Sequence, residues 1–421
     1  MIKSLFEEEL ADRAIFKDLK VLSPHYIPDN LPHRKQESKQ IIRILAPILR
    51  NEKPNNVFIY GKTGTGKTSV VRHVIRELES IVADPARNKN NSKVASVYMN
   101  CGLGYKSKYQ VLIKILEDEK LNAEGLKDAP LSDRGNKGRL MGQTPAELYE
   151  RLKKLVEANS LSLILVLDEI DLIRQVDSLL YLLTRINDDI KAGNVSTIGI
   201  SNKYTFKDYL DSRSKSTLCE EELVFRPYNA NQLKTILAHR VKLGFRSGSI
   251  SKSNIALIGA YGAQTNGDAR YALKLLQKAG EIAQNAGRKR IRTDDVKDAK
   301  VKVEEDIIYE LISTLPDHQQ IVLYTIAETV VRGGQYKRLS NTPNDILSSG
   351  EVYESYEKIC KQMEVKCRTM RWFREYLNEL EMLGLITLTI SGKGIRGNTT
   401  LIRLGSQPEE VKSIVAQSLG F

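Results

Sequence analysis

The chain has 421 residues, room for two or three domains each with its own core. Its 64 Lys and Arg exceed its 52 Asp and Glu by 12, a surplus that suits a polyanionic partner, and its four cysteines contain no Cys-x-x-Cys pair, so neither structural zinc nor a disulfide framework is expected. No apolar run approaches the roughly 20 residues that cross a bilayer, and the start, with Glu7-Glu8-Glu9, has no apolar signal-peptide core; a soluble, reducing, cytoplasmic setting with no membrane partner is the expectation.

In chain order, residues 1 to about 35 read as an irregular arm with Pro24, Pro28 and Pro32, and 36–49 as an amphipathic helix. A short apolar strand at 57–60 leads into Gly61-Lys62-Thr63-Gly64-Thr65-Gly66-Lys67-Thr68, and 69–78 reads as the helix that follows. Further strands are expected at 94–99, 161–167, 195–200 and 223–225, separated by helical stretches. Near-continuous apolar strands alternating with helices are what a parallel sheet covered on both faces requires, so the fold class is α/β. Between the second and third strands the chain is long and polar, and carries Lys106, Lys108, Arg134, Lys137 and Arg139. The alternation stops at Arg226-Pro227. From 229 to about 300 the spacing is helical, as in 231–243 and 269–286, and reads as a small all-α unit with Arg288-Lys289-Arg290 between its last two helices. Beyond about 303, helices are expected at 304–315, 317–331, 351–363 and 367–383, around a polar stretch at 332–350. Gly384 stops the last helix; a strand at 385–390, a basic glycine-rich turn at 391–398 and a return strand at 399–404 complete the layout of a winged helix-turn-helix. The division is 1–225, 226–302 and 303–421.

The loop at 61–68 fits the phosphate-binding pattern of Gly, four residues, Gly-Lys-Thr, between a strand and a helix. Gly61, Gly64 and Gly66, with Thr63 and Thr65 between them, let backbone N–H groups wrap phosphate oxygens, and the helix N-terminus adds a partial positive charge. Lys67 is expected on the β- and γ-phosphates of a nucleoside triphosphate and Thr68 in a Mg²⁺ shell. Asp168 and Glu169 end a buried strand, at the edge where ligands of α/β sheets bind. There Asp168 would hold the metal through water and Glu169 would polarise an attacking water. Asn202, ending the next strand, is either a partner for the γ-phosphate or the water, or a turn former. Arg270, in the first turn after Gly267-Asp268-Ala269, suits phosphate recognition; otherwise it is an exposed helix Arg. Arg213 either faces a neighbouring subunit's nucleotide or is solvated. Lys366, Arg368, Arg371 and Arg374 cluster in the candidate recognition helix, and Lys393 and Arg396 occupy the wing tip among Gly392, Gly394 and Gly397. Trp372, Phe373, Tyr376 and Leu377, at helical spacing, are expected to pack in the core.

Together these residues resemble the AAA+ ATPases, and within them the archaeal replication initiators related to the eukaryotic origin-recognition and cell-division-cycle loading factors. The resemblance covers nearly the whole chain. It rests on Leu31-Pro32-His33-Arg34, 56–68, Leu167-Asp168-Glu169-Ile170-Asp171, Ile200-Ser201-Asn202, 211–218, 225–230, Gly267-Asp268-Ala269-Arg270 and the C-terminal winged helix. It implies an AAA+ core, a helical lid and a winged-helix domain, with ATP or ADP and Mg²⁺ as cofactors. It also implies nucleotide contacts from Tyr228 and Arg240 at the lid entrance, and an insertion between the second and third strands, here about 103–142, that grips DNA. The implied partners are double-stranded origin DNA, the replicative helicase and other initiator paralogues, in a nucleoid-associated setting. The expected function is ATP-regulated, sequence-selective binding of origin duplex that initiates replication and loads the helicase, with slow ATP hydrolysis as a switch. Two other classes stay open: an ATP-switched transcription regulator with the same modules, and a protein-remodelling AAA+ enzyme whose winged helix binds partners. Origin and promoter fragments separate the first two, and processive ATPase activity stimulated by a protein substrate marks the third.

Overall fold

Apolar side chains alternate between two faces along the strands of the N-terminal half, so its sheet needs cover on both sides. In the computed structural model, which describes residues 15–24, 26–123, 126–128, 140–333, 346–390 and 399–420, five strands meet that condition. They are β1 (Val57–Tyr60), β2 (Lys93–Asn100), β3 (Leu161–Asp168), β4 (Asn194–Ser201) and β5 (Glu221–Val224). All pair in parallel, in the order β2-β3-β4-β1-β5. Leu163, Leu165 and Leu167 of β3 join one core, and Ile164 and Val166 join the other. Helices α1 (Lys35–Leu45) and α2 (Lys67–Ala83) cover the second core. The first is covered by α3 (Lys108–Leu116), α4 (Pro145–Asn159), α5 (Val176–Asp189) and the short α6 (Ser212–Leu218). Every residue of β3 and β4 is buried, and each aliphatic side chain there contributes roughly 1.5–3 kcal/mol. The sheet is therefore the part least able to shift.

Helix α4 starts where local chemistry dictates: Thr144 and Glu147 form a reciprocal capping box and Pro145 takes the first helical position. Its approach differs from expectation. The stretch read as a polar insertion begins with α3 and the turn Glu119–Leu121, which bury Val111, Leu112, Ile115, Leu116 and Leu121 in the main core. The charged residues between these apolar positions hid a core helix of only nine residues. Arg134, Lys137 and Arg139 lie outside the described residues.

After β5 come α7 (Ala230–Gly244), α8 (Lys252–Gln264), α9 (Ala269–Asn285) and α10 (Thr293–Ser313). Helix α10 runs unbroken for 21 residues through 303, where the change of texture places a new helix at 304. No Gly or Pro interrupts that span, so nothing in the backbone breaks it.

The chain divides into two compact units, 1–299 and 300–421. In the second, α11 (Asp317–Val331), β6 (Ile346–Ser348), α12 (Ser349–Gln362), α13 (Met370–Met382), β7 (Ile386–Ile390), β8 (Thr400–Leu404) and α14 (Pro408–Leu419) enclose Val322, Ile326, Tyr356, Phe373, Leu377 and Ile402. Strands β7 and β8 form the expected antiparallel pair, and β6 adds to β8 in the order β6-β8-β7. The sequence reading misses β6, since three residues carry no period and their partner lies some fifty residues on. It also misses α14, whose Val411 and Val415 face the core. The wing turn 391–398, with Lys393 and Arg396, lies outside the described residues.

One ion-pair cluster ties α14 to α11. Glu328 on α11 accepts from Lys412 of α14 and, at 2.6 Å, from Arg332. The hydrogen bond from Lys412 is the main reason its carboxyl titrates below the usual range, against a cost from burial. A depressed carboxyl contributes stability above its unfolded pKa and loses it as pH falls through the folded value. Glu328→Gln should therefore destabilise the chain by roughly 1 kcal/mol near neutrality, with the gap to wild type closing as pH drops below about 4. Denaturation across pH checks this; a gap independent of pH would contradict it.

Candidate functional site

Because β3, β4 and β1 are parallel neighbours, their C-terminal ends share one edge of the sheet. Tyr60 lies opposite Ser201 and Asp168 opposite Ile200, which brings together the loop after β1, the carboxylates after β3 and Asn202 after β4. The loop turns over Gly64 and Gly66, at φ of 67° and 89°, and a Cβ on Gly66 would sit 2.7 Å from the Tyr228 hydroxyl. In α2 the N–H of Val70 bonds the Gly66 carbonyl. The N–H groups ahead of it have no intrahelical acceptor and point out of the positive end of the helix.

Lys67 Nζ donates to the carbonyls of Gly61 (2.7 Å) and Lys62 (2.9 Å) and to Asn202 Oδ1 (2.9 Å). Burial pushes its ammonium down to about 8; the charge of Arg270 adds to this, and Asp168, Asp171 and Asp268 pull the other way. Thr68 Oγ1 donates to Asp168 Oδ2 (2.7 Å), which also accepts from the Tyr98 hydroxyl (2.8 Å). Glu169 follows in left-handed backbone, φ 57°. Burial, then the charges of Asp168 and Asp171, raise its carboxyl above the usual range, with Arg270 and Lys67 opposing. Asp171 accepts from the Ser201 hydroxyl at 2.8 Å, which ties the segment after β3 to the end of β4. The donor set fits a nucleoside triphosphate with Mg²⁺. It has a glycine turn, an ammonium whose carbonyl acceptors a phosphate can replace, and a hydroxyl–carboxylate pair of hard oxygen donors.

Arg34, just before α1, enters the sequence reading only within the Leu31-Pro32-His33-Arg34 resemblance and receives no role there. It is 4% exposed. Its Nε donates to the Thr65 carbonyl and the Tyr228 hydroxyl, both at 3.0 Å, and its two terminal nitrogens bond Glu37 and the Arg226 carbonyl, both at 2.6 Å. The guanidinium also lies over the Tyr228 ring, 4.1 Å from its centroid. One buried cation thus joins the phosphate loop to the β5–α7 connection. The helical segment meets the same loop directly: Ala269 N–H donates to the Gly64 carbonyl (3.2 Å) and Lys62 Nζ to Asn266 Oδ1 (2.8 Å).

Three family models match in succession: an AAA ATPase domain over 30–198, a Cdc6 AAA+ ATPase-type lid domain over 234–301, and a CDC6 C-terminal winged helix domain over 310–414. The ORC1-type DNA replication protein of Thermococcus kodakarensis is 40% identical over 415 residues, spanning 98% of this chain and 94% of its own. The chain belongs to the ORC1-type DNA replication proteins. A Methanosarcina acetivorans relative of the same description is 35% identical over 99% of the chain and 94% of its own. The structure of the Aeropyrum pernix ORC1 protein in complex with DNA matches with a TM-score of 0.79 at 35% identity, over 96% of this chain and 97% of that one.

The remaining expected residues of this ORC1-type chain divide by position. Arg270 is exposed at the start of α9, and its charge reaches Lys67 and Glu169. Tyr228 stands beside Gly66. Arg240 is engaged elsewhere: its guanidinium donates to the carbonyls of Val21 (3.1 Å) and Tyr26 (3.3 Å) and covers the Tyr26 ring. Arg213 is exposed on α6. In the second unit Lys366, Arg368, Arg371 and Arg374 are all exposed before and along α13. The backbone at Arg368 is held at both ends, its N–H on the Tyr356 hydroxyl (3.3 Å) and its carbonyl accepting from Tyr353 (3.1 Å). The aromatic stripe splits: Phe373 and Leu377 are buried, but Trp372 is 54% exposed. A helix at 3.6 residues per turn cannot turn adjacent positions to the same face.

Removing Arg34 should be costly. Arg34→Met strands the buried Thr65 carbonyl and the half-buried Arg226 carbonyl and Glu37 carboxylate, an expected loss of roughly 2–3 kcal/mol of stability. Arg34→Lys should recover only part, since one ammonium cannot span four acceptors in the guanidinium's plane. Denaturant titration checks both; a full rescue by Lys would remove geometry from the explanation.

Proposed function

We propose that the chain is an ATP-regulated, sequence-selective duplex-DNA-binding initiator of replication. The observation that carries this reading is the convergence of Lys67, Thr68, Asp168, Glu169 and Asn202 on one sheet edge, in a chain whose other unit presents Lys366, Arg368, Arg371 and Arg374 outward. Family membership over nearly the whole chain and the likeness to a DNA-bound relative support it. In this reading residues 1–225 form the ATPase core, 226–302 the lid and 303–421 the DNA-binding domain, with the DNA-binding insertion at about 103–142.

ATP or ADP would lie along the 61–68 loop, with Gly61, Thr63, Gly64, Thr65 and Gly66 supplying backbone donors. Lys67, exchanging its carbonyl acceptors for phosphate oxygens, would neutralise charge on the β- and γ-phosphates. A Mg²⁺ held by Thr68 and, through water, by Asp168 would stabilise charge on the phosphates when bound. Glu169, its basicity raised by burial, would orient and deprotonate water; Asn202 would hold that water or the γ-phosphate beside Lys67. Arg270 would complete the charge from the lid, and Tyr228 would line the loop beside Gly66. Arg240 would act through the arm at Val21 and Tyr26, and Arg213 on a neighbouring subunit's nucleotide. Slow hydrolysis would change the lid's hold on Gly64 and Lys62 and end the state competent to load the replicative helicase. Duplex contacts would come from Lys366, Arg368 and Arg371, from Lys393 and Arg396 in the wing, and from Arg134, Lys137 and Arg139.

Lys67→Ala should abolish ATP binding measured by calorimetry. Glu169→Gln should keep it and lower turnover by about 100-fold or more; undiminished turnover would remove Glu169 from the reaction. Replacing Lys366, Arg368 and Arg371 together with Ala should flatten the salt dependence of duplex binding by roughly one unit of log–log slope for each phosphate that is no longer neutralised. An unchanged slope in fluorescence anisotropy would place the phosphate-binding cations away from α13.

A further inference from the structure

The chain contains a single tryptophan, and it stands half exposed on α13 while Phe373, Leu377 and Leu380 of the same helix are buried. The ring packs on Tyr376 at 6.3 Å, Tyr376 stacks on His318 (6.4 Å between centroids, 10° between planes), and His318 Nδ1 bonds the buried Tyr356 hydroxyl at 2.8 Å. These contacts link one side of the indole to the core of the second unit, which lowers the entropy cost of ordering it at an interface. Four exposed cations surround it in sequence: Lys366, Arg368, Arg371 and Arg374. Two of the acids on the helix are already engaged. Glu379 accepts from Gln319, and Glu381 accepts from the Leu388 N–H at 2.8 Å. Glu375, one turn beyond Trp372, is the acid left exposed beside it.

An exposed apolar ring with exposed cations close to it in sequence suits a duplex groove. The cations suit phosphates, and the ring needs a hydrocarbon. Among the base edges in the major groove, only the C5-methyl of thymine offers one. We propose that Trp372 reads thymine by packing its indole against C5-methyl groups in the major groove, a sequence-selective contact added to the phosphate contacts of its neighbours. This rests on the reading that α13 meets duplex DNA.

The test uses the full chain and the duplex that it enriches from a random-sequence pool, synthesised either with thymine or with uracil at every thymine position. Uracil removes only the methyl. With one tryptophan, intrinsic fluorescence reports on the residue itself, and anisotropy of a labelled duplex reports affinity independently. The indole emission should change on binding, and wild type should favour the thymine duplex by about fourfold for each methyl that the indole covers. Trp372→Ala should bind both duplexes alike, because the methyl then has no partner. Its melting temperature should stay near wild type, since the ring is half in water, and Trp372→Phe should retain part of the preference. Tight binding with unchanged emission and equal affinity for the two duplexes overturns the proposal and leaves the DNA-binding reading standing. A change in emission with equal affinities overturns the thymine assignment. Failure of the full chain to bind either duplex at low salt overturns the DNA-binding reading itself.

Discussion

The parallel order of β3, β4 and β1 is the constraint on which the rest of the first unit depends. Parallel strands must be linked by crossovers, and those crossovers leave every strand ending at the same edge. The phosphate loop, the Asp168–Glu169 pair and Asn202 meet there because sheet register puts Tyr60 opposite Ser201 and Asp168 opposite Ile200. A slip of one residue in β3 would turn Asp168 to the other face and exchange Leu165 for Val166 between two separate cores. The burial that secures the sheet therefore also secures the site.

On that frame two cations do different work. Lys67 is partly desolvated and bonded to carbonyls that a phosphate can displace, so its demand for an anion is built in before any ligand arrives. Arg34 has all three of its nitrogens engaged by the protein: Nε by Thr65 and Tyr228, the terminal pair by Glu37 and Arg226. It holds the loop against the connection from which the helical segment departs, and Ala269 and Asn266 close the same loop from the other side. The loop is thereby tied to the helical segment at two places, its entry at Arg226–Tyr228 and the start of α9.

Much of this was legible in the sequence, for identifiable reasons. The loop at 61–68 carries a fixed spacing of glycines, and β3 is a continuous apolar run ended by two carboxylates; both signals are local. The parts that escaped are those set by distant partners. Arg34 lies 194 residues from Tyr228, and nothing about an Arg ahead of a helix announces four acceptors in space. Tyr98 reaches Asp168 only because of register between β2 and β3. Strand β6 exists because β8 offers it an edge. Helix α3 hid among charged residues, and helical spacing alone could not separate the exposed Trp372 from its buried neighbour Phe373.

In the proposed function this combination of modules serves the start of replication and not the control of transcription. Genome-wide mapping of where the chain sits in growing cells, laid over DNA copy number from the same culture, tests it most directly. An initiator should occupy a few loci strongly, and these should coincide with copy-number maxima, where replication forks depart. Occupancy concentrated at promoters away from those maxima would contradict it.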